Sequence, residues 1–511
     1  MIGCQMKRSS AVRVVVWQLV LTGLLSGVAT CGPPNVLFIV CDDLNNHVGP
    51  AGYQHIRTPT LDTLAASSVS FQRAYCQYPV CGPSRASFLS GLYPESTGVL
   101  DNKSDIRQTR PGSLSMPQYF KDRGYWTAGV GKVFHTPKHQ QGDLEWHAFH
   151  KFDNAELPLV TVARKKFEAE HGSIARGKTR RAWKEHLNSL STQTRGQKRP
   201  GYGPSGLSDE QHKDGQNVRQ VIGWLKHKPY GDRPFFIACG IQKPHVPFLA
   251  PDKYFAGIPP SSLTYPLDPT DDWDDIPRQA MVKRFTAFGF ELGRENASLR
   301  REYMQAYHAC IEFVDTQLGL LIDEIKTQGL WEDTVIVFTS DHGYHLGEHF
   351  LWGKVSLFEV CARVPLMIRI PGRGRQGAVS QSLAELVDVW PTLIDACGLK
   401  PPEHLQGTSL LPVVEDPQVR VRSTSYTVVT RRANGRATLG RAIRSARLRY
   451  AEWPDGEELY DLVQDPAEHR NLSNAPQHQS ALVRMRKLLA EAKRTAAQQA
   501  IAQPSDTTQQ R

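Results

Sequence analysis

The chain predicts an α/β fold: a large mixed, mostly parallel sheet sandwiched by helices, with a smaller C-terminal subdomain built on an antiparallel sheet. Three observations carry this. Residues 35–40 (Asn-Val-Leu-Phe-Ile-Val), 233–240 and 334–339 are nearly uninterrupted apolar runs, the pattern of strands buried on both faces of a parallel sheet. Tyr303, Tyr307, Ile311, Val314, Leu318, Leu321 and Ile325 recur at three- and four-residue steps, the stripe of a helix that covers such a sheet. Beyond Leu410 the pattern changes to short strand-like segments at 423–430, 438–444 and 448–453.

Bulk properties bound the function. With 511 residues, 40% hydrophobic and 22% charged, the chain can bury a large core and has an ordinary globular balance. Sixty-one Lys and Arg against 51 Asp and Glu leave a net charge of +10. That favours acidic partners such as sulfated glycans, nucleic acid or anionic lipid. No zinc-finger spacing or nucleic-acid motif accompanies it, so nucleic acid is not an expected partner. The nine cysteines are scattered and form no dense disulfide framework. Cys41, Cys239, Cys310, Cys361 and Cys397 sit in or beside apolar runs and read as buried thiols.

Residues 1–31 read as an export signal. Lys7, Arg8 and Arg13 precede an apolar core at 14–28, and small residues follow. The apolar stretch is short and interrupted by Gln18, so no stable membrane span is expected. Plain cleavage is favoured over a lipoprotein anchor at Cys31. An exported protein is expected, periplasmic or secreted, or lysosomal in a eukaryote.

The 35–40 strand ends in Asp42-Asp43, at the strand edge where α/β proteins hold ligands. Two carboxylates there form a turn or bind a hard cation such as Ca²⁺ or Mg²⁺. Cys81-Gly82-Pro83-Ser84-Arg85 reads as a helix start. Cys81 then lies where backbone amides and the helix dipole favour negative charge. It can equally be a small buried thiol, or a disulfide partner of Cys76. A helix over 115–123 stopped by Gly124 and a strand over 125–130 lead into Gly131-Lys132-Val133-Phe134-His135, a site loop or solvated surface.

A basic insertion, about 160–204, carries Arg180-Arg181 and Lys198-Arg199; it is a solvated face or a polyanion surface. The 233–240 strand leads to Lys243-Pro244-His245, and residues 251–295 read as a long irregular connection near the site mouth. Strand 334–339 leads to Asp341-His342. His345 and His349 have zinc-like spacing, but Gly347 argues against one helix presenting both. Residues 364–370 read as a strand, 383–397 and 481–497 as helices, and 503–511 as a flexible tail. The expected organisation is a signal peptide at 1–31, a catalytic domain at 32–415 and a C-terminal subdomain at 416–502.

Cys81-x-Pro83-Ser84-Arg85, followed by Leu89-Ser90-Gly91, resembles the signature of the type I, formylglycine-dependent sulfatases of the alkaline-phosphatase superfamily. Gly-Lys-Val-Phe-His at 131–135 and Asp341-His342 resemble the iduronate-2-sulfatase branch, whereas Val355 after Lys354 departs from the aromatic residue of that branch. The resemblance implies an alkaline-phosphatase-like sheet and a Cys81 that a formylglycine-generating enzyme oxidises to Cα-formylglycine. It implies a divalent metal, Ca²⁺ in preference to Mg²⁺, on Asp42, Asp43, position 81, Asp341 and His342. A hydrated formylglycine attacks sulfur, and His245 protonates the leaving oxygen. Arg85, Lys132 and Lys354 stabilise the sulfuryl charge, and His135 assists release of sulfate. The implied substrate is a sulfated sugar or uronate of a polysaccharide. Alternatives are an arylsulfatase, a phospho- or phosphonate ester hydrolase of the same superfamily, and a degenerate polyanion-binding member.

Overall fold

The computed structural model describes residues 32–135, 142–175, 177–193, 201–281, 296–433 and 436–498. The expected export signal, part of the basic insertion and the expected tail lie outside them. The strands are β1 (Asn35–Asp42), β2 (Val69–Tyr75), β3 (Trp126–Gly131), β4 (Ala148–His150), β5 (Tyr202–Pro204), β6 (Phe235–Pro244), β7 (Phe248–Ala250), β8 (Thr334–Ser340), β9 (His345–Leu346), β10 (Trp352–Gly353), β11 (Arg363–Arg369), β12 (Ala378–Glu385), β13 (Ser425–Ala433), β14 (Arg436–Arg444), β15 (Leu448–Trp453) and β16 (Gly456–Asp461). Eight of them form one sheet in the order β12-β2-β11-β8-β1-β6-β3-β4. Every neighbouring pair is parallel except the two that β11 makes.

β1 lies inside this sheet, and its side chains alternate between two cores. Leu37 and Ile39 face the side covered by the helices Ala297–Thr327 and Lys213–His227. Val36, Phe38 and Val40 face Phe88 and Leu89 of the Cys81–Ser90 helix, together with Tyr119 and Trp390 of two further helices. A strand covered on both faces has no solvent side to keep polar, which explains the unbroken apolar runs.

β13-β14-β15-β16 form a separate antiparallel sheet, packed by Leu482, Met485 and Leu489 of the helix Gln479–Ala497. Arg449 on β15 is only 2% exposed at its side chain and lies between Glu458, 2.9 Å away, and Glu468. Arg449→Ala strands two buried carboxylates. It is expected to cost about 3–5 kcal/mol, readable as a lower midpoint in denaturant unfolding.

One part of the sequence reading needs correction. Residues 383–397 are not one helix. β12 runs through Glu385, a 3₁₀ turn follows at Leu386–Asp388, and the helix is Val389–Ala396 alone. Parallel pairing with β2 claims Leu383, Ala384 and Glu385 for the sheet. β2 and β12 themselves carry Gln72, Arg73, Gln381 and Ser382; β12 is an edge strand, so no unbroken apolar run marks the pair. The insertion contributes the helices Pro158–His171 and Gly177–Gln193.

Candidate active site

Four parallel strands end level with one another. In the sheet register Cys41 pairs with Ser340, Asp42 with Pro244, and Gly131 with Gly240. The residues just beyond these strand ends are therefore neighbours: Asp42 and Asp43 after β1, Asp341 and His342 after β8, His245 after β6, and Lys132 and His135 after β3. Asp43 turns sharply there, with φ of 69°. Asp341 Oδ1 accepts from its amide at 3.2 Å, and its carbonyl accepts from Tyr307 Oη at 2.7 Å. β2 leads through a short loop to the fully buried Cys81–Ser90 helix, with Cys81 as its first residue.

The β3–β6 junction depends on two glycines. Gly131 has φ of +65°, and a Cβ on Gly240 would meet the Lys132 carbonyl carbon at 2.2 Å. Gly240→Ala is expected to push the Lys132 backbone away. It should cost about 1–3 kcal/mol in unfolding experiments and lower kcat/KM by about tenfold or more through misplacement.

The side chains converge on Cys81. Its Sγ lies 3.2 Å from Asp42 Oδ1, 3.1 Å from Lys354 Nζ and 3.4 Å from His342 Nε2. His135 is also within hydrogen-bond reach of the thiol. Lys132 pairs with Asp42, and Lys354 Nζ with Asp43 Oδ1 at 2.5 Å. Arg85 Nε donates to Asp341 Oδ2 at 2.8 Å while its other nitrogens hold the carbonyls of Cys41, Lys132 and Val133. One guanidinium thus ties β1, β3 and the carboxylate after β8 together. All eleven assignments expected from the sequence, ten residues in all with Cys81 counted twice, therefore belong to one cluster or its immediate rim.

The histidines are oriented by the backbone. His245 Nδ1 donates to the Val246 carbonyl at 2.7 Å, leaving Nε2 facing Asp43 Oδ2 at 3.9 Å. His342 Nδ1 donates to the Gly343 carbonyl at 2.9 Å, leaving Nε2 toward Cys81. Each backbone bond fixes the ring's orientation and turns Nε2 toward the site.

The charges set one another. Burial opposes a thiolate at Cys81, but Lys132, Lys354 and His342 outweigh it and pull the thiol well below its ordinary value. Burial opposes ionisation of Asp42 too, and so does Cys81, yet Lys132, His245 and Arg85 hold its carboxyl below the usual range. Burial lifts Asp341 to about 6 against the pull of Arg85. Burial disfavours a charged His342, but Asp341 raises it to about 9. His245 is raised as well, Asp42 and Asp43 overcoming its burial.

Two overlapping groups of metal-capable atoms lie within 4.8 Å: Asp42, Asp43, Cys81 and His245, and Asp42, Cys81, Asp341 and His342. Asp43 Oδ2 is buried without a hydrogen-bond partner. Three buried carboxylates, one with an orphan oxygen, fit a hard divalent cation that would complete them. His345 and His349 are outside both groups. His345 Nε2 bonds Ser356 Oγ at 2.7 Å, and His349 Nδ1 bonds Asp272 at 2.9 Å. The Cys76–Cys81 bridge is not formed; all seven described cysteines are free and buried.

Sequence reasoning missed the supports. Asp214 accepts from the amides of Gln242 and Lys243 at 2.8 and 2.9 Å, fixing the loop that carries His245. Tyr307, legible only as part of a core stripe, holds the turn at Asp43. Neither belongs to a local motif, so only the pairing of distant segments reveals them.

A parallel sheet whose strand ends gather an activated cysteine, three cations and a metal-capable carboxylate cluster defines a hydrolase for anionic esters. The family description "Sulfatase" matches residues 34–399, and the C-terminal description of N-sulphoglucosamine sulphohydrolase matches 347–495. A sulfatase of Formosa agariphila is 32% identical over 471 residues, 89% of this chain and 86% of the relative. Iduronate 2-sulfatase of Mus musculus is 32% identical over 405 residues, 72% of this chain and 69% of the relative. The structure of phosphonate monoester hydrolase from Agrobacterium radiobacter shares the fold with a TM-score of 0.74 at 22% identity, covering 92% of this chain and 97% of that one. The chain belongs to the sulfatase family and is a sulfuric ester hydrolase.

Proposed function

We propose that this enzyme removes sulfate from a sulfated sugar or uronate of a polysaccharide, in the manner of an iduronate-2-sulfatase. The observation that carries the reading is the convergence of Lys132, Lys354 and His245 on position 81. The iduronate-type segments at 131–135 and 341–342 and the likeness to iduronate 2-sulfatase support the sugar class.

In this reading Cys81 is the precursor of Cα-formylglycine, whose hydrate would supply the attacking hydroxyl and a second hydroxyl for release of sulfate. Asp42, Asp43, position 81, Asp341 and His342 would hold Ca²⁺, which supplies Lewis-acid neutralisation of sulfate oxygens and nucleophile. Lys132 and Lys354, kept charged by Asp42 and Asp43 despite burial, bind sulfuryl oxygens. Arg85 holds Asp341 and, through the carbonyls it bonds, the Lys132 backbone. His245, positioned by its bond to Val246, donates a proton to the departing sugar oxygen. His135, beside position 81, takes a proton when sulfate leaves. Export through residues 1–31 and encounter with a formylglycine-generating enzyme belong to the same reading.

The test is turnover of a sulfated uronate against an aryl sulfate and a phosphonate monoester, using protein co-produced with a formylglycine-generating enzyme. Preference for the uronate supports the proposal, and a dominant phosphonate activity would sink it. His245→Ala is expected to lower kcat by about 10²–10⁴ on sugar sulfates. The loss should be much smaller on aryl sulfates with acidic phenols, which leave without protonation. Equal losses on both would remove the acid role.

A further inference from the structure

Two cavities of about 520 and 530 Å³ adjoin along the β2/β12 edge of the large sheet, sharing Gln381 as a wall. Neither is lined by Cys81, Arg85, Lys132, His135, His245 or Lys354. The first is lined by Arg73, Arg363 and Arg444, and the second by Arg420, Arg422, Arg447 and Arg484. Glu359 is the one acidic lining residue of either, and it is already engaged by Arg444 at 2.8 Å and by Tyr75 Oη at 3.0 Å. Arg422 and Arg447 are neutralised from behind by Glu385, Asp388 and Asp461.

The other guanidiniums have no directly paired carboxylate. Arg73, Arg363, Arg420 and Arg484 make no ion pair or side-chain hydrogen bond among the described residues. Arg73 is half-buried, and burial together with the neighbouring Arg444 pushes its pKa down. Arg363 is likewise half-buried while Arg420 and Arg484 are exposed, and like charges gathered along one groove repel one another unless an anion completes them. Local irregularity builds the wall: the β12 register shifts between Ser380 and Leu383, a bulge of the kind that re-aims side chains, and Gln381 is exposed there.

We propose that this arginine groove is a second binding site, for a sulfated polysaccharide chain, separate from the catalytic pocket. It rests on the sulfated-carbohydrate reading above and adds where a polymer is held while one residue is cleaved. Guanidiniums bind sulfate oxygens through paired donors, a geometry that a lysine surface lacks. Nucleic acid fits less well: among the lining residues the aromatic ring is Tyr53, which is already stacked on His47 at 3.9 Å rather than offered to bases.

The test uses full-length enzyme and a fluorescent heparin dodecasaccharide, with affinity read by anisotropy across a salt series. Arg73→Gln/Arg420→Gln/Arg484→Gln keeps the side-chain stems while removing three charges. It is expected to weaken binding by at least about tenfold and flatten the salt dependence. The melting temperature and the turnover of a sulfated monosaccharide should stay near wild type. Arg180→Gln/Arg181→Gln, in the basic insertion, should bind as wild type does. Unchanged affinity of the triple variant, equal loss in the insertion variant, or equally tight groove-dependent binding of single-stranded DNA overturns the proposal. Failure of the sulfated-sugar reading looks different: wild type then holds the dodecasaccharide in the groove but turns over no sugar sulfate.

Discussion

Cys81→Ala is expected to leave a folded protein whose sulfate-ester turnover falls by about 10⁴ or more, to the residual supplied by binding and charge alone. The reasoning starts from what the thiol touches. Its stabilising role is small: its Sγ accepts from Lys354 Nζ at 3.1 Å, and Lys354 keeps its pairing to Asp43 without it. Loss of one such bond costs about 1 kcal/mol, so the melting temperature should barely move. The chemical role is large, because Lys132, Lys354, His342 and the helix start all bear on this one atom and pull its proton off. Cys81→Ser separates two accounts of that environment. If the bare residue were the nucleophile, serine would retain part of the rate. If the residue must be oxidised to an aldehyde by an enzyme that reads cysteine, serine falls as far as alanine. Mass spectrometry of the Cys81 peptide decides independently: conversion makes the peptide lighter by about 18 Da. Full activity in wild-type protein with an unmodified thiol would refute the formylglycine account.

The site was more legible in the sequence than the fold around it, for a physical reason. Asp42-Asp43, Lys132, His245 and Asp341-His342 each stand just beyond an apolar run, and parallel strands that end level must bring such residues together. The strand ends therefore encode the site locally. β11 reads as a strand from Val364 to Ile370, but nothing in its composition says that it runs antiparallel between β2 and β8. β2 and β12 are masked by polar residues that belong to the arginine groove. The helix expected over 383–397 dissolves in its first part because pairing with β2 outweighs local propensity there. Arg85 shows the limit of motif reading. Its place in the Cys-x-Pro-Ser-Arg signature is visible, but its 0% exposed side chain and its hold on three carbonyls and Asp341 are properties of the folded sheet.

Chelation is expected to lower activity by at least about 10³-fold, with Ca²⁺ restoring it better than Mg²⁺, since Lewis-acid stabilisation at a charged transition state is worth several kcal/mol. Asp42, Asp43 and Asp341 are buried within one small cluster. Three cations already balance their charge, with Arg85 on Asp341, Lys132 on Asp42 and Lys354 on Asp43. The cluster therefore survives without a metal, and removal should inactivate the enzyme without unfolding it. Added cation should raise the melting temperature by an amount that grows with concentration, about 2.7 kcal/mol of stabilisation at a hundredfold excess over Kd. Asp43→Asn tests the assignment at one atom. The amide keeps the volume of the carboxylate but removes the charge, and Asp43 Oδ2 makes no hydrogen bond among the described residues. The variant should need a much higher Ca²⁺ concentration for half-maximal activity, and in chelator it should melt below wild type because Lys354 loses its buried partner. A Ca²⁺ requirement unchanged by Asp43→Asn would move the metal off this carboxylate. Activity indifferent to chelation and to added cation would remove the metal from the site altogether and leave Lys132 and Lys354 to carry the sulfuryl charge alone.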